Sequence, residues 1–309
     1  MYVYLTDNDW YHNLASANYS EINFWLPGSR GFSAISEGEL LLFKLHSPYD
    51  FIVGGGFFLR HLRMPVSVAW NAYKDANGMP TQEELLKKIY RYRETSHSVE
   101  PDPEIGCVLL SQPFFFPEKD WIPVPKDWSK NIVKGKRYST EDHLGKELFN
   151  NISYHYVNAE SNIANCNEED KENMEKRFGE EMIIRPRLGQ ASFRLLVLDA
   201  YSRRCAITGE KTTPVLQAAH IKPYSEGGQH LLENGLSLRS DFHVLFDNGY
   251  LTVDPQYTIH VSKRIKEEYG NGREYYSYDR KKLLVLPQAI NERPSIEYLQ
   301  WHNDLVFVG

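Results

Sequence analysis

The sequence is poor in cysteine: Cys107, Cys166 and Cys205 are the three among 309 residues, and they stand far apart. An odd number of scattered thiols provides neither a disulfide framework nor a paired-cysteine zinc site, and it fits a reducing compartment. No apolar run approaches the roughly twenty residues that a membrane helix needs. The opening "MYVYLTDNDWYHN" has no basic leader followed by an apolar core, so a cytoplasmic location without a membrane partner is expected. Internal repeats and low-complexity tracts are absent. Basic charge is not in excess either, because the net charge is −6. That would argue against a nucleic-acid partner only if the charge were evenly spread. From Arg185 onward 16 lysines and arginines meet 14 acids, or +2, which leaves −8 for everything earlier. Residues 159–184 alone hold 8 acids and 3 bases, or −5, so the acid is concentrated in one connecting stretch.

Aromatics are plentiful, with 20 tyrosines and 15 phenylalanines, and the length allows two domains with substantial cores. The fold class expected is α+β. Residues 1–138 read as the first domain. "GELLLFKLH" and "FIVGGGFFL" are strands joined by a turn at "SPYD", and "EIGCVLLSQPFFF" is a third strand. Between them "SVAWNAYKDANG" and "TQEELLKKIYRYRE" read as helices, the second with Thr81 as N-cap and Glu84 three residues on. Three glycines at 54–56 inside a strand pattern predict a bulge or a close backbone approach. Residues 139–184 read as an acidic, partly helical linker and residues 185–309 as the second domain.

The second domain contains the segment richest in chemistry. "VLQAAHI" is a short strand ending near His220, "KPYSEGGQHLLEN" a loop, and "GLSLR" a second strand. "SDFHVLFDNG" then reads as a compact helix, capped by Ser240 or Asp241 and ended by Asn248 and Gly249. On it His243 and Asp247 lie four residues apart, hence on one face. The order is strand, loop, strand, helix. Phosphodiester hydrolysis needs a base for a water and positive charge against the developing oxyanion. A neutral imidazole at His220 suits the first need, and a divalent ion held by His243 and Asp247 suits the second. Asn234 can hold the loop through its amide.

"AAHI…NG…L…H…FDNG" resembles the motif of the HNH endonucleases, with their ββα-metal fold. "RLGQASFRLLVLDAYSRRCAITGE" before it and "GYLTVD…VSKRI" after it resemble the restriction-type members found in bacteria. The resemblance spans about residues 185–309. It implies that His220 is the general base, Asn234 the central asparagine, and His243 a metal or phosphate ligand, with Asp247 as a further ligand. Two departures are visible. Many members carry a metal-ligating Asp or His just before the base, where this chain has Ala219; Gln217, Asp241 or water can stand in. Few protein ligands favour Mg²⁺, which keeps several waters, with Mn²⁺ or Ni²⁺ as substitutes. Many members also have paired cysteines for a structural zinc, whereas Cys205 stands alone, so no structural zinc is expected and Cys205 reads as a small buried residue. His230 and His260 fall outside the motif and read as loop or surface residues. Arg187, Arg194, Arg203, Arg204, Lys222 and Arg239 are candidate phosphate contacts.

In the first domain "INFWLPGSRGFSAISEGELLLFKLHSPYDFIVGGGFFLR" resembles the PUA superfamily of small β-barrel readers, which includes the SRA, EVE and ASCH-like domains. That resemblance implies a barrel that takes up a nucleotide base, with Trp25, Phe32, Phe57 and Trp70 as candidate walls. The expectation for the whole chain is a metal-dependent endonuclease acting on double-stranded DNA, in restriction or antiviral defence, with the first domain choosing a target that can include a modified base. A homodimer is one route to cutting both strands. An RNA-cutting effector, a partner-activated nuclease and a binding module without catalysis remain as alternatives.

Overall fold

The computed structural model describes residues 1–28, 31–94, 100–129, 131–163 and 188–309. Arg187 and residues 164–184 of the expected linker lie outside them. The chain divides into two compact units, Met1–Arg187 and Leu188–Gly309.

The N-terminal unit is built on one mixed sheet. Its elements in chain order are β1 (Tyr2–Thr6), α1 (Asn8–Ala15), β2 (Glu21–Leu26), β3 (Leu40–Leu45), β4 (Phe51–Pro65), α2 (Val66–Tyr73), α3 (Gln82–Arg93), β5 (Glu104–Phe115), β6 (Ile122–Pro123), β7 (Gly135–Arg137) and α4 (His143–Ile163). Strand order is β2-β5-β4-β3-β1-β7, with β6 beside β4; β1 and β3 run parallel and the other pairs are antiparallel. Among the described residues this order is an open path ending at β2 and β7, where the PUA resemblance implied a closed barrel. β4 carries the glycine triplet, and a Cβ on Gly54 would stand 2.2 Å from the Phe114 carbonyl oxygen. The β4–β5 register also shifts between Gly55 and Phe57, so the expected close approach and bulge coincide. Thr81 caps α3 by accepting from the Glu84 N–H at 3.2 Å, as its spacing predicts. One core joins Val3, Leu42, Ile52, Phe57 and Phe116 to Leu148 and Ile152 of α4, so part of the stretch beyond residue 139 packs into this unit.

The C-terminal unit consists of α5 (Gln190–Ala200), β8 (Leu216–His220), β9 (Gly235–Arg239), α6 (Ser240–Asp247), β10 (Leu251–Val253), β11 (Ile259–Val261), α7 (Arg264–Tyr269), α8 (Arg273–Tyr276) and α9 (Ile296–Leu305). β8 and β9 pair antiparallel, with Ala219 opposite Leu236 and His220 opposite Gly235, and α6 follows β9 directly. The predicted ββα order is therefore present. Ala219, Leu236, Leu238, Phe242 and Phe246 are fully buried in a core that also takes in Phe193 and Val197 of α5. The start of α6 differs from expectation. Arg239 is the N-cap residue and no side chain caps the helix, because the Asp241 carboxylate is turned to the Arg239 guanidinium.

α5 can approach β9 closely because residue 235 has no side chain. A Cβ there would meet Val197 Cγ2 at 2.4 Å and the Phe193 ring at 3.2 Å. Gly235→Ala overpacks this contact and should cost about 1–3 kcal/mol. A thermal melt followed by circular dichroism checks this, and an unchanged midpoint would contradict the packing argument.

Candidate active site

The loop 221–234 leaves the end of β8 and returns to the start of β9, and a single buried side chain ties its two ends. Asn234 is fully buried. Its Oδ1 accepts from the Lys222 N–H at 2.9 Å, while its Nδ2 donates to the carbonyls of Lys222 and Gln229, both at 2.9 Å. The Ile221 N–H also reaches the Asn234 carbonyl at 3.0 Å. A primary amide, with donor and acceptor on one rigid head, satisfies both ends of the loop at once.

His220 stands at the end of β8 with its ring flat against Phe193, at a centroid distance of 4.0 Å and an interplanar angle of 12°. Its Nε2 lies 2.9 Å from Nδ1 of His230. Burial, with the adjacent His230 and then His243 adding to it, pushes the His220 pKa down to about 4. The imidazole is therefore neutral at ordinary pH.

On α6 the His243 Nε2 sits 3.2 Å from Asp247 Oδ2, and its Nδ1 sits 2.6 Å from Gln217 Oε1. Burial raises the Asp247 pKa above the usual carboxylate range, and His243 opposes that shift. His220, Gln217, His243 and Asp247 line one cleft of about 520 Å³, together with Phe193 and Arg194. His243 Nε2 and Asp247 Oδ2 lie side by side at the cleft with room for water and suit a hard divalent cation, while Gln217 Oε1 lies at the opposite edge of the His243 ring. Among the described residues no three His, Cys, Asp or Glu side chains converge. The protein's share of such a coordination shell would thus be small, with Gln217 holding the His243 ring from its Nδ1 edge.

The geometry sorts the other candidates. Arg194 is in the cleft. Arg239 is not free to bind phosphate, because it forms a two-pronged pair with Asp241 at 2.7 Å and a further bond to Glu274 at 2.6 Å. That pairing also takes Asp241 away from the metal-ligand role considered for it. Lys222 lies over the Trp301 ring at 5.4 Å, and the Arg204 Nε donates to the Gly209 carbonyl at 3.4 Å. Arg203 has a left-handed backbone and does not line the cleft. Cys205 is buried, its Sγ accepting from the Arg239 N–H at 3.3 Å.

Sequence reasoning passed over His230 and Phe193. His230 is no bystander, since it contacts His220 directly and stacks on Tyr224 at 5.3 Å and 13°. The available signal was its place in "GGQHLLEN", a loop whose far end is the motif asparagine. His260 pairs with Asp254 at 2.9 Å, away from the cleft.

In the N-terminal unit Trp25 is buried and its indole N–H donates to the Asn77 carbonyl at 3.0 Å. Phe57 is part of the core, and Trp70 is half-buried on α2. Phe32 contacts the rings of Tyr2, Tyr4, Phe58 and His61. The four candidate walls are thus not brought together as one pocket by ring contacts among the described residues. His61 was not anticipated. Its Nε2 is buried and has no hydrogen-bond partner among the described residues.

Residues 205–254 match the family model for HNH endonuclease. The matched stretch lies within the C-terminal unit. The matched stretch contains His220, Asn234, His243 and Asp247, and HNH nucleases generally use a divalent metal ion. Among solved structures the chain is similar to ASCH from Zymomonas mobilis, at 10% identity over 48% of this chain and 93% of that one, with a TM-score of 0.35. It is also similar to a modification-dependent TagI restriction endonuclease, at 12% identity over 94% of this chain and 77% of that one, with a TM-score of 0.29. No curated protein matches the chain. No helix among the described residues is long and apolar enough to cross a membrane.

Two stability outcomes follow from the packing of the C-terminal unit. Asn234→Ala leaves the Lys222 N–H and two carbonyls without their partner, which should cost about 1–3 kcal/mol. Hydrogen exchange should show faster exchange across 221–234, and unchanged protection there would refute the clamp. His302 is 2% exposed, stacks on Phe246 at 3.7 Å, and bonds to Thr252 and to the Phe246 carbonyl, fixing the C-terminal end of α6. Burial pushes its pKa down to about 4. A histidine held neutral this way contributes stability that is fully present above its ordinary pKa of about 6.5 and is lost as pH falls from there towards 4. Stability read from urea midpoints should fall between pH 7 and pH 4, with the equivalent of about 3 kcal/mol of the loss coming from His302. His302→Gln should flatten that dependence, and equal slopes in the two proteins would contradict it.

Proposed function

We propose that this chain is a metal-dependent endonuclease that hydrolyses phosphodiester bonds of double-stranded DNA with His220 as general base. The observation that carries the reading is a neutral histidine in one cleft with His243, Asp247 and Gln217, inside the stretch that matches the HNH endonuclease family. His220 accepts a proton from the attacking water as the new P–O bond forms. The bond to the departing ester oxygen breaks, and that oxygen takes its proton from solvent. A divalent ion, Mg²⁺ by the hardness and small number of its protein donors, supplies positive charge against the phosphate and the departing oxygen. His243 Nε2 and Asp247 would hold it, with Gln217 orienting the His243 ring through Nδ1. Asn234 keeps the loop in place so that His220 faces the cleft, and Arg194 is positioned to meet a neighbouring phosphate.

In this reading the N-terminal unit selects the target, and the aromatic corner around Phe32 with the unpaired His61 Nε2 supports a role in contacting a base, including a modified one. The setting is restriction and defence against foreign DNA, in the cytoplasm. One site cuts one strand, so a homodimer or successive nicks would complete a double-strand break.

The purified chain, incubated with plasmid bearing plain, methylated, hydroxymethylated or glucosylated cytosine, should cut in Mg²⁺ or Mn²⁺ and not in EDTA. His220→Ala should lower the rate by about 10²–10⁴-fold. His243→Ala and Asp247→Asn should weaken metal binding measured by calorimetry as well as cutting. Cutting that survives His220→Ala would overturn the assignment of the base, and cleavage of RNA with duplex DNA left intact would overturn the substrate.

A further inference from the structure

His220 and His230 meet nitrogen to nitrogen, and that contact has only two proton arrangements when both rings are neutral. If His230 donates from Nδ1, the His220 Nε2 lone pair is consumed. The His220 proton then sits on Nδ1, and no nitrogen remains to accept a proton from water. If His220 donates from Nε2, its lone pair lies on Nδ1. Only the second arrangement makes a base.

The surroundings leave the second arrangement's lone pair facing the cleft. Among the described residues His220 Nδ1 has no protein hydrogen bond, and His220 lines the cleft with Arg194, Gln217, His243 and Asp247. Stacking on Phe193 fixes the plane of the His220 ring, so the His230 contact at one edge directs the opposite edge. His230 is itself held in place. Its ring stacks on Tyr224, and the carbonyl of the residue before it, Gln229, accepts from Asn234 Nδ2. Among the described residues no carboxylate or backbone carbonyl hydrogen-bonds to the His220 ring, so His230 is the acceptor available to set its tautomer.

We propose that His230 is a positioning residue that holds His220 in the Nε2–H tautomer with Nδ1 open to the cleft. The proposal rests on His220 being the base. It assigns the motif asparagine a second effect, since the loop clamped by Asn234 carries His230 into contact.

The test uses the full chain, labelled with ¹⁵N and studied with Mg²⁺ present. Long-range ¹H–¹⁵N spectra of the imidazoles, assigned with His220→Ala and His230→Ala, report directly which nitrogen carries the proton. The wild type should show His220 protonated at Nε2. His230→Phe, which keeps an aromatic on Tyr224 but offers no acceptor, should shift His220 to a mixture of tautomers and lower kcat for plasmid nicking about a hundredfold with KM little changed. His230→Asn, whose Oδ1 can accept from the same N–H, should restore the tautomer and most of kcat. A wild-type His220 protonated at Nδ1 would overturn the proposal, as would a His230→Phe protein with unchanged tautomer and kcat. The wild-type spectrum decides the matter even where a variant fails to fold. Cleavage that survives His220→Ala would remove the base assignment beneath the proposal, an outcome distinct from a tautomer that ignores His230.

Discussion

Three hydrogen bonds made by one buried amide hold the C-terminal site in place. Asn234 lies opposite the strand end that carries His220, and its side chain joins Lys222 and Gln229, so the loop between the strands is closed twice. Buried amide groups are costly to leave unpaired, and every polar atom of this side chain is used. The loop's polar, glycine-containing sequence has few apolar side chains with which to order itself. The amide therefore does the ordering, and the aromatic stack of Tyr224, His230, Phe193 and His220 is laid down on a backbone already fixed.

The motif was legible because its parts are local. The alternation of "VLQAAHI" and "GLSLR", and the four-residue spacing of His243 and Asp247, follow from strand and helix periods that require nothing from elsewhere in the chain. Thr81 and the glycine triplet were legible for the same reason. What escaped reading depends on residues far apart in sequence. Arg239 looked free for phosphate until Glu274, 35 positions on, took one of its prongs, and Asp241 had to leave the helix cap to take the others. Phe193 lies 27 positions before the histidine it supports, and no periodicity links them. Likewise, Trp25 and Phe57 are aromatics of a strand-rich domain, and the sequence cannot separate a core wall from a binding wall. The indole bond from Trp25 to the Asn77 carbonyl shows which one Trp25 is.

Charge follows the same division between local and distant. The net −6 suggests a poor match to a polyanion, yet the groups that matter lie within one cleft. There Arg194 is the cation, His220 is held neutral, and Asp247 is desolvated beside His243. The Asp247 carboxylate, its pKa raised by desolvation, has the His243 imidazole as its neighbour at 3.2 Å. In the proposed reading a cation held there would offset the repulsion that an incoming phosphate would otherwise meet from Asp247.

The two buried histidines of the C-terminal unit show how burial can serve opposite ends. His302 and His220 are both pushed down to about 4, mainly by burial. His302 uses both ring nitrogens inside the protein, on Thr252 and on the Phe246 carbonyl, so its neutrality serves packing under the helix that bears His243 and Asp247. His220 uses one ring nitrogen, on His230, and keeps the other for the cleft. The same desolvation thus leaves one ring a strut and the other open to the cleft. What separates them is the number of protein partners, which no inspection of residue types could have supplied.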